Sequence, residues 1–498
     1  MNISYTKKGD QLYAYIRSSI RNGNKVNNIY EGNLGLVLDK ERNIFKNKER
    51  GVFMYDNETN TYKNAPVEFV PPSFGKTREQ LILDFGDAFF INQYINQLKL
   101  CPVIDAIGYG NPDTLYAMIC YYILSNMANC HAEIWWEGSY ARLLYPKANL
   151  TSQRISDFLA EIGEESSIRS FFSQYFQWLI NLKLDISNVL IDSTGCPNSI
   201  RFHLTAISNH NGEINNEVRL IYVVHPSTGM PIYFRYCPGN VIDTSTLSRC
   251  IAELKAQGVN VNHAILDAGY STKENIGQLF DDKISFITRM KENLVQYKEL
   301  VKEHVGSLMQ GKNLVEYNGR YVYLKCVDWN MEDNHGYAYV GIDLTRKHLE
   351  EQKTFRHAID DGLSPIAVHE AMKAQGVFIL ISSRRIAPKN LLPLYYLREQ
   401  VEQVFDISKN YSNLLPVRCH TEETFRGHLL LTFISTILYK KLQLATANTK
   451  ITPASLFLEL RNLKCKVFDD IIITSEVFKK ANDCYKLFKM KVPVSILR

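Results

Sequence analysis

Tyr395, Arg398, Glu402 and Lys409 stand in the order Y-x2-R-x3-E-x6-K within the run LPLYYLREQVEQVFDISKN. Offsets of three, four and seven return to one stripe of a 3.6-residue helix, so the spacing predicts four side chains on one face. That stripe carries one acid, two cations and a phenol. The carboxylate can hold a divalent ion while the cations and hydroxyl grip phosphates, so the set suits metal-assisted work on a phosphodiester. Leu394, Leu397, Val401, Val404 and Phe405 fall on adjoining stripes and are expected to seat the helix on a core. An Arg–Glu pair four apart also occurs on ordinary exposed helices. The full four-residue order is what singles this helix out.

Two further acids end apolar runs. Ile186 to Asp192 (ISNVLID) reads as a buried strand ending in an acid, and Val261 to Asp267 (VNHAILD) reads as another. Short aspartates at adjacent strand ends can share a cation, and a longer glutamate can reach in from a helix. Magnesium prefers such oxygen ligands. Two ions about 3.5–4 Å apart activate water on one side and stabilise the leaving oxygen on the other. An unfilled cluster of three carboxylates repels itself and raises at least one pKa, so the site needs metal or Arg398 and Lys409 close by. Taken singly, each aspartate also fits a turn or helix cap.

The elements that must position these acids follow from the rest of the chain. Its 498 residues are 45% hydrophobic and 22% charged, which is ordinary for a folded protein with several domains. A net charge of +5 admits a nucleic-acid partner without demanding one. Local clustering is stronger: Arg384, Arg385, Lys389, Arg398, Lys409, Arg418 and Arg426 fall within 43 residues. MNISYTKKGD lacks the apolar segment of a signal peptide, and the longest apolar run, Leu429 to Tyr439, is too short to span a bilayer. Ten scattered cysteines without a C-x-x-C pair or zinc spacing point to reduced thiols and a cytoplasmic setting.

Residues 1–70 read as a small basic β module, with a hairpin turn at Asn22-Gly23. Residues 71–183 read as helical, with Asp113 and Thr151 or Ser152 as caps, and are expected to bind DNA ends. Strands and helices then alternate β-β-β-α-β-α-β through 184–290, a mixed sheet with helices against it. Residues 291–375 read as a β-rich insertion, 376–440 as the second part of the core, and 441–498 as a helical C-terminal region. Gly239 and Asn240 read as a turn before the first core helix, with Asp243 as its cap. His428 reads as a packed or capping histidine.

Leu190-Ile191-Asp192-Ser193-Thr194, Leu266-Asp267-Ala268-Gly269-Tyr270 and the Tyr-Arg-Glu-Lys helix together resemble the DDE transposases of bacterial insertion sequences, in the group bearing that signature. The resemblance covers about residues 185–440. It implies an α/β fold: a ribonuclease H-like mixed-sheet core interrupted by the β-rich insertion. It also implies two Mg2+ or Mn2+ ions held by Asp192, Asp267 and Glu402 as catalytic ligands. Tyr395, Arg398 and Lys409 would hold DNA near the scissile phosphate. Arg289 and Lys291 would contact phosphate, and Trp329 would stack a flipped base. The implied partner is double-stranded DNA, both element ends and target, bound by a homodimer. A metal-dependent nuclease without strand transfer and a non-catalytic DNA-binding derivative are the competing readings.

Overall fold

At the N-terminus, alternating apolar and polar residues form six antiparallel strands paired in chain order. These are β1 (Asn2–Lys8), β2 (Gln11–Asn22), β3 (Lys25–Asp39), β4 (Ile44–Asn47), β5 (Gly51–Asp56) and β6 (Thr61–Asn64). The computed structural model describes residues 2–497 except 9–10, 23–24, 67–68, 70–80, 211–212, 242–244, 361–363, 365, 367, 370–371, 373–374 and 470. Gly23, central to the expected hairpin turn, and Asp243, the expected cap, lie outside the described residues. The strands close at the pair Asn22↔Lys25, one residue later than a turn centred on Asn22-Gly23 requires. Gly35, at φ +88°, passes so close to β4 that a Cβ would sit 2.2 Å from the Lys46 carbonyl oxygen. Only glycine fits there. This sheet forms one unit, Met1–Leu81, and Ile82–Arg498 forms the other.

The second unit opens with β7 (Leu81–Asp84) and helices at Gly86–Gln97, Pro112–Leu124, Ser152–Ile162 and Glu165–Asn181. The caps differ from expectation. Asn111, not Asp113, caps its helix by accepting from the Thr114 amide; the Asp113 carboxylate instead takes the Lys147 amide at 2.7 Å. Thr151 occupies its cap position, but its hydroxyl donates to Asn149 Oδ1 at 3.3 Å and makes no bond to the helix.

The central sheet is built on β8 (Asn188–Pro197), β9 (Ala206–His210), β10 (Glu213–Val224), β11 (Pro231–Pro238), β12 (His263–Leu266) and β13 (Ser285–Arg289). β11, β10 and β8 run antiparallel, and β12 and β13 continue parallel to β8. This mixed order is consistent with the expected ribonuclease H-like core. β8 does not end at Asp192. Its pairing with β12 stops at Ile191↔Leu266, but on the other side it pairs with β10 out to Pro197.

The insertion supplies β14 (Leu314–Tyr317), β15 (Arg320–Met331) and β16 (Asn334–Asp343), and β17 (Val377–Ser382) follows it. These strands extend the core sheet in the order β13-β17-β16-β15-β14, so they lengthen it instead of forming a separate layer. The charged stretch after β16 is helical, Leu344–Asp360.

The apolar helix Glu422–Thr446 is the central strut of the second unit. It crosses Ser152–Ile162 at two glycines. A Cβ on Gly427 would lie 2.0 Å from the Leu159 carbonyl oxygen, and one on Gly163 would lie 1.9 Å from that of Glu423. His428 is buried here: the Tyr122 hydroxyl meets its Nδ1 at 2.8 Å and its Nε2 meets the Leu414 carbonyl at 3.0 Å. The C-terminal region is not wholly helical. After Pro453–Arg461, strands β18 (Lys464–Val467), β19 (Ile471–Thr474) and β20 (Ser495–Leu497) join β7 in a four-stranded sheet. No helix among the described residues is long and apolar enough to cross a membrane.

Candidate active site

Asp192 and Asp267 each follow the last residue of the Ile191↔Leu266 parallel pair, so the sheet itself sets them side by side. Asp192 is held in place by the Ser193 amide, which donates to its Oδ1 at 2.8 Å. Behind Asp267, the buried Thr288 hydroxyl donates to its carbonyl at 3.0 Å, pinning the point where β12 gives way to a single 3-10 turn.

The helix bearing the signature is broken, which corrects the single-stripe expectation. Pro388–Tyr395 is α-helical, Tyr396–Arg398 is a 3-10 turn, and Glu399–Tyr411 is α-helical again. Pro393 has no N–H for the first segment's ladder, and the 3-10 turn tightens the path after it. Val401, Val404 and Phe405 are buried as expected, but Leu394 faces outward. Tyr396 within the turn stacks on Tyr317 of β14, ring centroids 5.1 Å apart, and the Arg320 guanidinium lies over both rings.

The break turns Arg398 into the middle of the acids. Its Nη2 lies 3.0 Å from Asp267 Oδ1, 3.3 Å from Asp192 Oδ2 and 3.7 Å from Glu402 Oε1. Side-chain exposure rises from 15% at Asp192 through 36% at Asp267 to 59% at Glu402, so Asp192 is the floor of the site and Glu402 its rim. Burial, and then the neighbouring Asp267, push the Asp192 carboxyl up to about 6, against the pull of Arg398. Lys409 reaches the same strand by another route, donating to Thr194 Oγ1 at 2.7 Å.

Tyr395 is buried beneath Arg398, with the guanidinium 5.9 Å from its ring centroid. Its hydroxyl has no hydrogen-bond partner among the described residues, and burial pushes the phenol up to about 12. Arg289 is partly exposed and pairs with Glu292 at 2.9 Å. Trp329 sits in the β15–β16 hairpin opposite Gly336, buried, with its indole N–H unpartnered among the described residues. It lines a cavity of about 360 Å3 together with Met290, Leu294, Met331 and Ile381. The cavity also touches Thr272, just past the Asp267 turn.

The donor set has the right chemistry for a hard divalent ion: three carboxylate oxygens converge on one cationic nitrogen. The spacing is that of acids closed around a guanidinium. Among the described residues no group of three or more His, Cys, Asp or Glu side chains is arranged to hold a metal ion. Arg398 occupies the point on which the three acids converge.

A family model described as "Transposase DDE domain" matches residues 186–438, just over half of the chain. The chain belongs to the DDE transposases. Membership implies metal-dependent phosphoryl transfer in DNA transposition, and the matched span contains Asp192, Asp267, Glu402 and Lys409. Among solved structures, this transposase is similar to the piggyBac transposase synaptic complex with hairpin DNA, determined by cryo-EM. The TM-score is 0.36 at 11% identity, covering 70% of each chain. No match was found among curated proteins.

One contact in this transposase was missed from sequence. Lys440, in the central strut, is buried and donates to Gln400 Oε1 and Gln403 Oε1, both at 3.1 Å. Those glutamines flank Glu402, so the ammonium fastens the signature helix from behind. A Cβ on Gly229, at φ +67°, would lie 2.6 Å from Lys440 Nζ and 2.4 Å from Gln400 Oε1. A lysine inside an apolar helical run, facing two glutamines three residues apart, was the available signal.

Proposed function

We propose that this protein binds the terminal inverted repeats of an insertion sequence, hydrolyses the 3′-ends and joins them to target DNA. The observation that carries the reading is the convergence of Asp192, Asp267 and Glu402 on Arg398 Nη2, from two strand positions and a helix. In this reading those three carboxylates hold divalent metal. Bound metal supplies charge to neutralise the scissile phosphate and a means of activating water. Arg398, displaced from the acids, turns onto the DNA backbone. Lys409 leaves Thr194 for a second phosphate, and Arg289 contacts the strand beside Tyr395. Trp329 stacks a base that enters the adjoining cavity. The freed 3′-hydroxyl then attacks a target phosphodiester directly, forming the new bond to phosphorus as the target's own 3′-oxygen leaves, with no covalent enzyme intermediate. Holding two ends at once calls for a homodimer on DNA.

The test uses duplex DNA carrying the repeats that bracket the gene. Glu402→Gln is expected to keep end binding and to abolish nicking that depends on Mg2+ or Mn2+. Nicking retained by Glu402→Gln would overturn the proposal.

A further inference from the structure

The N-terminal sheet has two unlike faces. One buries Ala14, Ile16, Leu34, Val37, Phe45 and Phe53. Strand alternation sends their neighbours to the other side. There the register sets Asn2, Arg17 and Tyr30 in one row across β1–β3. Ser4, Tyr15 and Asn33 form the next row, then Thr6, Tyr13 and Leu36, with Lys46 of β4 opposite Leu36. The Tyr15 and Tyr30 rings are 6.1 Å apart, and Lys8 Nζ lies 5.8 Å from the Tyr13 ring centroid. Tyr30 is 58% exposed, and Lys8, Arg17, Asn33 and Lys46 are exposed with it. These rows contain no carboxylate. Glu31, at the β3 bulge, is hydrogen-bonded to Ser18.

Aromatic rings interleaved with cations suit a polyanion whose units have a flat face. The spacing distinguishes the form of that polyanion. Tyr13 and Tyr15 are two residues apart on one strand, about 6.6 Å, whereas bases stacked in a duplex are about 3.4 Å apart. A paired helix cannot offer a base to each ring; splayed, unpaired bases can.

We propose that this face binds single-stranded DNA, stacking unpaired bases on Tyr13, Tyr15 and Tyr30 while Lys8, Arg17 and Lys46 meet the phosphates. The choice of DNA rests on the transposase reading, since strand cutting and joining expose unpaired ends. The stacking geometry stands apart from it.

The test measures full-length protein in metal-free buffer by fluorescence anisotropy. The probes are a labelled oligothymidine of about a dozen nucleotides and a mixed-sequence duplex of the same length. Tyr15→Ala/Tyr30→Ala is expected to weaken oligothymidine binding at least about tenfold and duplex binding less than about twofold. Tyr15→Phe/Tyr30→Phe should bind as the parent does. In the parent background, Lys8→Ala/Arg17→Ala should reduce the salt slope for oligothymidine by about two phosphates' worth. Unchanged oligothymidine affinity in the alanine variant would overturn the proposal. So would equal loss on both probes, a phenylalanine variant as weak as the alanine one, or an unaltered salt slope. Equal loss on both probes would assign the face to duplex DNA or to folding, including docking within the chain. Because the readout is binding without cleavage, it can fail while the Glu402→Gln nicking test succeeds, and the reverse.

Discussion

Asp267 Oδ1 lies 3.0 Å from Arg398 Nη2, the shortest of three carboxylate contacts around that one nitrogen. The guanidinium, in the place proposed for divalent metal, thus keeps three acids together. Its removal leaves like charges facing each other, beside an Asp192 carboxyl that burial already pushes up to about 6. Arg398→Ala is expected to destabilise metal-free protein by about 1–2 kcal/mol, discounted for a site open at its Glu402 rim. Millimolar Mn2+ should raise the melting temperature of the variant more than that of the parent, whose own cation competes. A variant as stable as the parent, with no larger response to metal, would contradict this account. Thermal denaturation with and without metal decides.

Lys409 is held by a neutral hydroxyl, Thr194 Oγ1, and by no carboxylate at that contact. Little therefore opposes its transfer to a phosphate. Lys409→Met should weaken end binding by a similar factor across DNA sequences and lower the salt slope by about one. Thr194→Val should leave the slope as it is. Binding titrations at several salt concentrations would show whether both hold.

Lys440 offers a pH test of the fastening behind the signature helix. Burial lowers its ammonium to about 8, below the ordinary lysine value near 10.4. Below pH 8 the folded and unfolded chains both carry the proton, so this group gives no slope. From pH 8 to 10 the unfolded chain keeps a proton that the folded chain has released, so stability from this group rises with pH. The parent should therefore gain on Lys440→Met over that interval. Taking the difference between the two proteins removes the shared tyrosine titrations. Denaturant unfolding at pH 7, 8, 9 and 10 checks the sign.

Gly427 separates packing from chemistry. A Cβ there would lie 2.0 Å from the Leu159 carbonyl oxygen and 2.8 Å from its carbon, so the helices must part. Gly427→Ala should cost about 3 kcal/mol, at the upper end for overpacking. Alanine at Gly258, where φ is positive, unlike at Gly427, but no atom lies within 4 Å of the added Cβ, should cost less. Equal losses at both positions, in denaturant titrations, would count against the close approach as the cause.

The core strands were legible where apolar runs are continuous. β17, Val377–Ser382 (VFILIS), is such a run, and all six of its residues are buried. The course of β8 was not legible, because Ser193-Thr194-Gly195-Cys196-Pro197 has turn chemistry and only pairing to β10 keeps it extended. Gly195 shows the same non-local cause: a Cβ would strike the Glu217 carboxylate of β10 at 1.9 Å. The four positions of the signature were visible in sequence, but the 3-10 turn that aims Arg398 was not. Helical periodicity does not register a tightening of three residues. The C-terminal strands escaped because they are short and close a sheet with β7, hundreds of residues away. Such pairing leaves little local trace.

The stacking of Tyr317 on Tyr396, with Arg320 above both, has a practical corollary. The outermost strand of the inserted segment clasps the very turn that points the arginine inward. Trimming residues 291–375 to make a smaller protein would unfasten that clasp and loosen Arg398 from a distance. The segment that looks most dispensable in a length comparison is a hinge pin.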